Sequence, residues 1–519
     1  MKTIFKGKLP VICFFILFFL LGVLIFRDYG TTWDDYNARV IGQTTYDYIT
    51  GTSDEMLTYV NRDYGPDFEL FLVIAEKISG IKSPQQIIYL RHFLTFFLFF
   101  IGSIFLYKIA ALRYSNRLLP LLGVLILILS PRIFADSFYN TKDMAPFVAM
   151  IIANYTMLWF LNKPNGRRAI IHALSCAFLV DVRLPGLFVI VLTASLFLLD
   201  IIRNRKKQPQ FTHNAKVFGT YLGSFFILMI LFWPFLWTNP AGHFLEAFSN
   251  MSRFTRWDDT VLYFGKFVKA VHELPWHYAP VWIAITTPIV YLLFFLVGIG
   301  IIIFRLIRHP LTFYSKYRDD LIYLIWFFLP LIFVIGLHSV IYDGWRHLYF
   351  IYPSLILISL VGIEGIVVWV NRFKKSKLLI SGVMVSFVWI NLSSVLTFMI
   401  FYHPYQNLYF NFLAGGMKNA KKNFDLDYWG LSFRKGLEYI AQNDKEQKIP
   451  VFFSHGFASN IDVLNDKDRK RFVVQDKPEG AKYILTNYRW HPQEYSESIQ
   501  RVYEVTVSGE RIMSVYKFY

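Results

Sequence analysis

Two adjacent carboxylates, Asp34 and Asp35, stand in the stretch TTWDDY, a few residues past the apolar run PVICFFILFFLLGVLIF. A carboxylate held near a membrane surface is a candidate general base, able to take a proton from a hydroxyl or amine as that group attacks. Adjacent residues on a helix point about 100° apart, so the pair cannot readily serve one proton. One can act as the base while the other orients a partner or caps a helix N-terminus, where negative charge is favoured. Trp33 and Tyr36 flank them and would hold them at headgroup depth. The plainer alternative is a polar collar outside a span. A third carboxylate, Asp143, follows Lys142 in SFYNTKDMAPF (137–147). Asn140 or Asp143 could simply cap the next helix, but Lys142-Asp143 also offers a cation and a carboxylate to the first loop.

The cations are as uneven as the acids. Arg91 and His92 lie in IIYLRHFLT, Arg183 in Asp181-Val182-Arg183, and Asp343, Arg346 and His347 beside Tyr342 and Trp345 in HSVIYDGWRHLYFIYP (338–353). Snorkelling accounts for a lone Arg near a helix end, an internal ion pair for Asp181 and Arg183, and an aromatic belt for the aromatics. None accounts for Arg and His together at the start of a span. The planar guanidinium binds phosphate oxygens in pairs. An acidic group (Asp34, Asp35, Asp143) with a cationic one (Arg91, Arg183, Arg346, with His92 or His347) suits a site that binds a lipid phosphate and deprotonates an acceptor.

The elements that must position these residues are membrane helices. Of 519 residues, 55% are hydrophobic, 19% aromatic and only 17% charged, with a mean hydropathy of +0.40. Eleven apolar stretches are expected to span: 10–27, 88–107, 118–135, 144–161, 169–182, 186–202, 215–237, 280–304, 320–338, 347–370 and 378–402. The first, led by Lys2, Lys6 and Lys8, has no small-residue cleavage site after it and is read as a retained helix. The net charge of +17 does not indicate nucleic acid, because the cations alternate along the connections. Lys108/Arg113/Arg117, Lys163/Arg167/Arg168, Arg203/Arg205/Lys206/Lys207, Arg305/Arg308/Lys316/Arg318 and Arg372/Lys374/Lys375/Lys377 form one set. By the positive-inside rule that set is cytoplasmic, as is the N-terminus. The opposite side carries Asp34, Asp35, Asp67, Glu69, Asp136, Asp143, Glu246, Asp258, Asp259, Glu273 and Asp343. Cys13 and Cys176 form neither a disulfide framework nor a metal cluster.

Two domains are expected: 1–402 in the membrane and 403–519 outside it. In the outer loop 28–83, DDYNARVIGQTTYDYITG has the spacing of an interfacial helix, and PDFELFLVIAEKI suits a second. Ser83-Pro84 reads as an N-cap with Pro at the first helical position. Beyond 403, IPVFFS, RFVVQ and AKYILTN read as buried strands. RVYEVTVSGERIMSVYKF reads as a hairpin turning at Ser508-Gly509. The expected fold is thus an all-α polytopic membrane protein with a small α/β or α+β C-terminal domain.

The order of motifs resembles GT-C glycosyltransferases: an Asp-Asp pair after the first span, YNTKDMAPF after the third and YDGWRHLYFIYP late in the membrane region. It is most similar to glycosyltransferase family 39, the branch of dolichyl-phosphate-mannose protein mannosyltransferases and aminoarabinose transferases. YHPYQNLYFNFLAGG…FDLDYWGLSFRKGLEYI resembles bacterial members with an extracytoplasmic tail. The resemblance implies an 11-helix GT-C-like enzyme of the cytoplasmic membrane that moves a sugar, with inversion, from a polyprenyl phosphate to a glycan, lipid or protein acceptor. It implies Asp34 as the first-loop acid with Asp35 its neighbour, and Asp143 as the second acidic motif. Arg91, Arg183 and Arg346, with His347, Lys142 and Tyr342, are implied at the donor phosphate. Some GT-C enzymes use a divalent metal and others do not, and no ligand spacing here decides it. No MIR-type insertion fits in 238–279, which departs from the eukaryotic protein mannosyltransferases. The alternatives are a transporter or flippase for a lipid-linked or anionic substrate, which favours midplane charges on broken helices, and a non-catalytic scaffold.

Overall fold

The computed structural model describes residues 8–203, 208–252, 254, 256–271, 273–373, 377–455, 458–491, 493 and 499–518. Among the expected basic loop residues, Arg205, Lys206, Lys207, Lys374 and Lys375 lie outside the described residues. The chain opens with α1 (Leu9–Ile25), α2 (Asp34–Ile49), α3 (Asp67–Ser79), α4 (Pro84–Arg113), α5 (Leu118–Ile128), α6 (Pro131–Tyr139), α7 (Thr141–Asn162) and α8 (Gly166–Val182). It continues with α9 (Leu187–Arg203), α10 (Gln208–Phe232), α11 (Pro240–Ser252), the hairpin β1 (Thr260–Tyr263) and β2 (Lys266–Lys269), α12 (Tyr278–Thr286), α13 (Ile289–Arg308) and α14 (Phe313–Gly336). The 3₁₀ turn Arg346–Ile351 leads into α15 (Tyr352–Val370), followed by α16 (Lys377–Phe401). The C-terminal part holds α17 (Gly416–Asn423), α18 (Phe433–Asn443), β3 (Ile449–Phe453), α19 (Asp466–Arg469), β4 (Phe472–Val474), β5 (Tyr483–Thr486), β6 (Gln500–Val507) and β7 (Glu510–Lys517).

This is a multi-pass membrane protein. Eight helices among the described residues are long and apolar enough to cross a bilayer, nine if the bent pair α5–α6 is one span. The expected spans at α1 and α8 are helices of 17 residues each. Two expected spans are broken where proline removes a backbone N–H. The stretch 118–135 bends by 70° between α5 and α6, with Pro131 opening α6. The stretch 280–304 divides at Thr287-Pro288 into α12 and α13. Helices α13 and α15 touch backbone to backbone. A Cβ on Gly298 would lie 2.1 Å from the Ile358 carbonyl oxygen, and one on Gly362 2.1 Å from that of Phe294. Small residues permit such approach where lipid supplies no hydrophobic drive to pack.

The basic connections gather at one end. Arg113, at the end of α4, and Arg305, in the last turn of α13, both bind Asp320 of α14, Arg305 at 2.8 Å. Arg318 reaches Asp200 of α9 at 3.4 Å and Asn162, the last residue of α7, at 2.5 Å. Helix α7 carries Lys142 and Asp143 in its first turn and ends at Asn162, so these candidate residues stand about 30 Å away, at 1.5 Å per residue. That is one bilayer's hydrocarbon thickness.

Helices α2 and α3 are the two expected in the first outer loop. Ser83 precedes α4 as expected, but its side chain makes no capping bond. The C-terminal strands form one mixed sheet in the order β4-β3-β5-β7-β6. Strands β4, β3 and β5 are parallel, and β7 runs antiparallel to β5 and β6. The β6–β7 hairpin turns through Ser508 and Gly509, both at positive φ.

Candidate active site

Asp35 explains why α2 starts where it does. Its Oδ2 accepts the Thr32 backbone N–H at 3.1 Å and the Thr31 hydroxyl, satisfying donors ahead of the helix as a capping side chain does. Burial pushes the Asp35 carboxyl up to about 6, against the opposing pull of the Thr31 hydrogen bond and the Arg91 charge. Asp34, one residue earlier, points elsewhere. Its Oδ2 is buried and accepts no hydrogen bond, while Arg346 Nη1 stands 3.5 Å away and Lys142 Nζ 3.7 Å away.

Asn140 caps α7, its side-chain oxygen accepting the Asp143 N–H at 3.0 Å. The Asp143 carboxylate is thereby free of capping and sits between two guanidiniums, with Arg183 Nη1 at 3.1 Å and Arg346 Nη1 at 3.0 Å. The alternative pairing of Asp181 with Arg183 is not what forms. Asp181 Oδ1 accepts the Asp67 N–H instead, and Arg183 turns toward Asp143 and the His347 carbonyl oxygen.

Arg346 is completely buried. The turn before it uses left-handed backbone at Asp343 (φ 57°) and Gly344 (φ 76°), a region glycine enters freely and Asp tolerates better than most residues. Its guanidinium stacks over Tyr342 and Trp429 at 4.8 and 4.6 Å, and Nη2 lies 3.4 Å from Asp343. The other Asp343 oxygen accepts Arg489 Nη2 at 2.7 Å. Burial raises the Asp343 carboxyl while Arg489 and Arg346 pull it down, and burial wins. Tyr342 stacks on Trp257 at 4.0 Å and meets the His347 ring edge-on at 4.6 Å.

One connected constellation therefore holds Asp34, Lys142, Asp143, Arg183, Arg346 and Arg489, with Asp343, Tyr342 and His347. Four cations (Lys142, Arg183, Arg346, Arg489) meet three carboxylates (Asp34, Asp143, Asp343). Arg91 and His92 do not join it. Arg91 is buried between Glu69 and Glu76, the latter at 3.0 Å, and Glu69 also takes the Thr141 hydroxyl. His92 Nδ1 faces the Phe26 carbonyl oxygen at 3.2 Å. Arg91 had looked available because periodicity cannot reveal that α3 lays Glu69 and Glu76 against it. Arg489 was missed altogether, since nothing local distinguishes it from other basic residues of the C-terminal domain.

A cleft of about 100 Å³ adjoins the constellation and is lined by Asp34, Asn37, Tyr64, Glu69, Lys142 and Arg183 among others. Arg346 and Asp143 stand behind this lining. The donor set suits an anion. Among the described residues no three His, Cys, Asp or Glu side chains gather to hold a metal, and the site's carboxylates are engaged with cations.

No family model and no curated protein matches the chain. Solved structures do. ArnT from Cupriavidus metallidurans bound to undecaprenyl phosphate aligns over 98% of this chain and 98% of its own, at 12% identity and a TM-score of 0.48. The archaeal oligosaccharyltransferase AglB from Archaeoglobus fulgidus, in complex with an inhibitory peptide and a dolichol-phosphate, aligns over 93% of this chain and 70% of its own, at 11% identity and the same TM-score. Both are GT-C membrane glycosyltransferases.

Proposed function

We propose that this protein is a glycosyltransferase that moves a hexosyl or pentosyl group from a polyprenyl phosphate to an acceptor hydroxyl or amine, on the membrane face opposite the basic connections. The observation that carries the reading is Asp34: it lines a cleft with Lys142 and Arg183, and its buried Oδ2 accepts no hydrogen bond and faces the charges of Arg346 and Lys142. A general base needs an ionised carboxylate close to where the acceptor enters, and the cations Arg346 and Lys142 beside Asp34 favour its ionised form. A leaving phosphate needs cations that meet it as its charge grows. The cleft wall has both.

In this mechanism Asp34 takes the acceptor proton as the acceptor oxygen or nitrogen attacks the anomeric carbon. A bond forms from acceptor to sugar, the bond from sugar to phosphate oxygen breaks, and the configuration inverts. The polyprenyl phosphate leaves with the electron pair, its charge balanced by Lys142 and Arg183. Arg346, buried behind them, binds Asp34, Asp143 and Asp343 together, so its part is to hold the base and not to grip the phosphate. The membrane holds the donor's lipid tail. The positive-inside pattern would put the N-terminus in the cytoplasm and the C-terminal domain outside.

The test is release of polyprenyl phosphate. The purified protein in nanodiscs receives a panel of polyprenyl-phosphate-linked, radiolabelled hexoses and pentoses, with cell-envelope extract as acceptor. Asp34-dependent release together with labelled acceptor is the expected result. Movement of intact donor across a sealed vesicle, with no bond broken, would replace the enzyme by a flippase.

A further inference from the structure

The C-terminal domain does more than stand outside the membrane. Its loop after β5 runs Asn487-Tyr488-Arg489-Trp490, with Tyr488 and Trp490 both at positive φ (61° and 60°). Side chains rarely adopt that backbone, and it persists only where surrounding contacts hold it. Those contacts reach the membrane domain. Arg489 is buried. Its Nη1 donates to the Tyr428 carbonyl oxygen at 2.8 Å and its Nη2 to Asp343 Oδ1 at 2.7 Å. Its guanidinium lies 5.1 Å from the Trp33 ring, next to Asp34 in sequence, and 4.8 Å from Trp490. The Trp490 indole N–H donates to the Thr260 carbonyl oxygen at 2.6 Å.

A second contact from the same domain meets the other half of the site. Asn460, fully buried, accepts the Thr31 N–H at 3.2 Å and donates to the Thr31 carbonyl oxygen at 2.9 Å and that of Gly430 at 3.1 Å. Thr31 in turn holds Asp35 at the start of α2. One domain therefore grips two of the segments that carry the constellation: 28–35, with Asp34, and 338–347, with Arg346.

We propose that Arg489 and Asn460 are positioning residues, through which the C-terminal domain sets the geometry of Asp34 and Arg346. The inference rests on the glycosyltransferase reading for its kinetic consequence, though not for its structural one. Asp343 is the joint. It accepts Arg489 on one oxygen and Arg346 on the other, so removing Arg489 frees Asp343 to swing and lets Arg346 follow. Neither Arg489 nor Asn460 lines the cleft, so neither touches donor. Misplacing a reacting group by about 1 Å can cost about 100-fold in rate, whereas substrate affinity changes only if its own contacts are lost.

The experiment uses the full chain in nanodiscs and reads Arg489→Ala, Arg489→Lys, Asn460→Ala and, as a control in the same domain, Lys482→Ala. Lys482 sits away from the site on Asp444 and Glu446. Hydrogen exchange without substrate comes first. Arg489→Ala should lose protection in 340–347 and Asn460→Ala in 28–35, while α18 keeps its wild-type protection. Donor kinetics come second. The expected result is a kcat lower by about 10- to 100-fold with donor KM within about two-fold. Arg489→Lys should rescue poorly, because an ammonium lacks the fork that reaches Asp343 and Tyr428 together. Unchanged exchange in 340–347 overturns the inference, whether or not the protein transfers sugar. Altered exchange with wild-type kcat also overturns it, because the contact would then serve only the fold. If Arg489→Ala loses protection throughout, Arg489→Gln is read by the same criteria. A wild-type protein that releases nothing from any donor refutes the enzyme reading alone, and the exchange result still decides this one.

Discussion

Asp34→Asn is the substitution on which the catalytic reading stands or falls. It keeps the shape of the side chain and removes the proton acceptor. The stability effect should be small. Arg346 retains Asp143 at 3.0 Å and Asp343 at 3.4 Å after the change. Lys142, with 27% of its side chain exposed, can turn to water. The Asn amide oxygen can still accept from Arg346 and Lys142, so the variant should express and melt close to the wild type. The kinetic effect should be large. General-base catalysis is worth about 100- to 10,000-fold. At 1.36 kcal/mol per factor of ten, that is about 2.7 to 5.4 kcal/mol of barrier. The loss should fall on kcat, because the acceptor proton moves in the transition state and Arg183, held by Asp143, stays at the cleft. The assay is release of polyprenyl phosphate from labelled donor at saturating donor, with thermal unfolding measured on the same preparation. A folded Asp34→Asn variant that turns over within about three-fold of wild type lies far below the general-base range and would refute the assignment.

Lys142→Ala and Arg183→Ala should each raise donor KM, because both line the cleft. A hydrogen bond to a charged group contributes about 1.5 to 3 kcal/mol, so the shift should be about ten-fold or more, read by donor titration. Asp143→Asn should destabilise more than Asp34→Asn, since it takes the 3.0 Å carboxylate contact from buried Arg346 and the 3.1 Å contact from half-buried Arg183; a melting point equal to that of Asp34→Asn would contradict this. Arg91→Ala should destabilise by about 3 to 5 kcal/mol, leaving Glu69 buried without its cation and Glu76 with Arg39 alone, and the folded fraction should keep the wild-type donor KM. The Asp35 carboxyl is raised to about 6 by burial, so the folded state holds its proton more tightly than the unfolded state does. Its contribution to stability is therefore present below about pH 4 and lost as pH rises to about 6. Asp35→Asn should flatten that part of the stability-versus-pH curve, and an unchanged slope would remove Asp35 as its source.

That the chain is a multi-pass membrane protein with a small C-terminal sheet was legible because its causes are local. Apolar runs of span length, alternating basic connections and strand-like stretches past residue 403 each depend on neighbours within a turn or two. The candidates Asp34, Lys142, Asp143, Arg183, Arg346 and His347 were legible for a related reason. Charge at membrane depth is costly, so each stands out against its own apolar surroundings. Which of these charges meet was not legible, because pairing depends on how distant helices pack. Arg91 and Arg346 look equally available in sequence, yet α3 places Glu69 and Glu76 on the first while the second binds three carboxylates from separate segments. The breaks at Pro131 and Pro288 have a visible cause, but the 70° turn that buries α6 belongs to the packing around it. Arg489 shows the limit most clearly. It lies 146 residues from Asp343 in the chain, and nothing local indicates that a loop of the C-terminal domain folds back to meet it. Local composition decided that the chain crosses a membrane and carries charge at its surface. Only tertiary packing decided which carboxylate was left without a hydrogen bond beside the cleft, because that depends on every other partner having been taken.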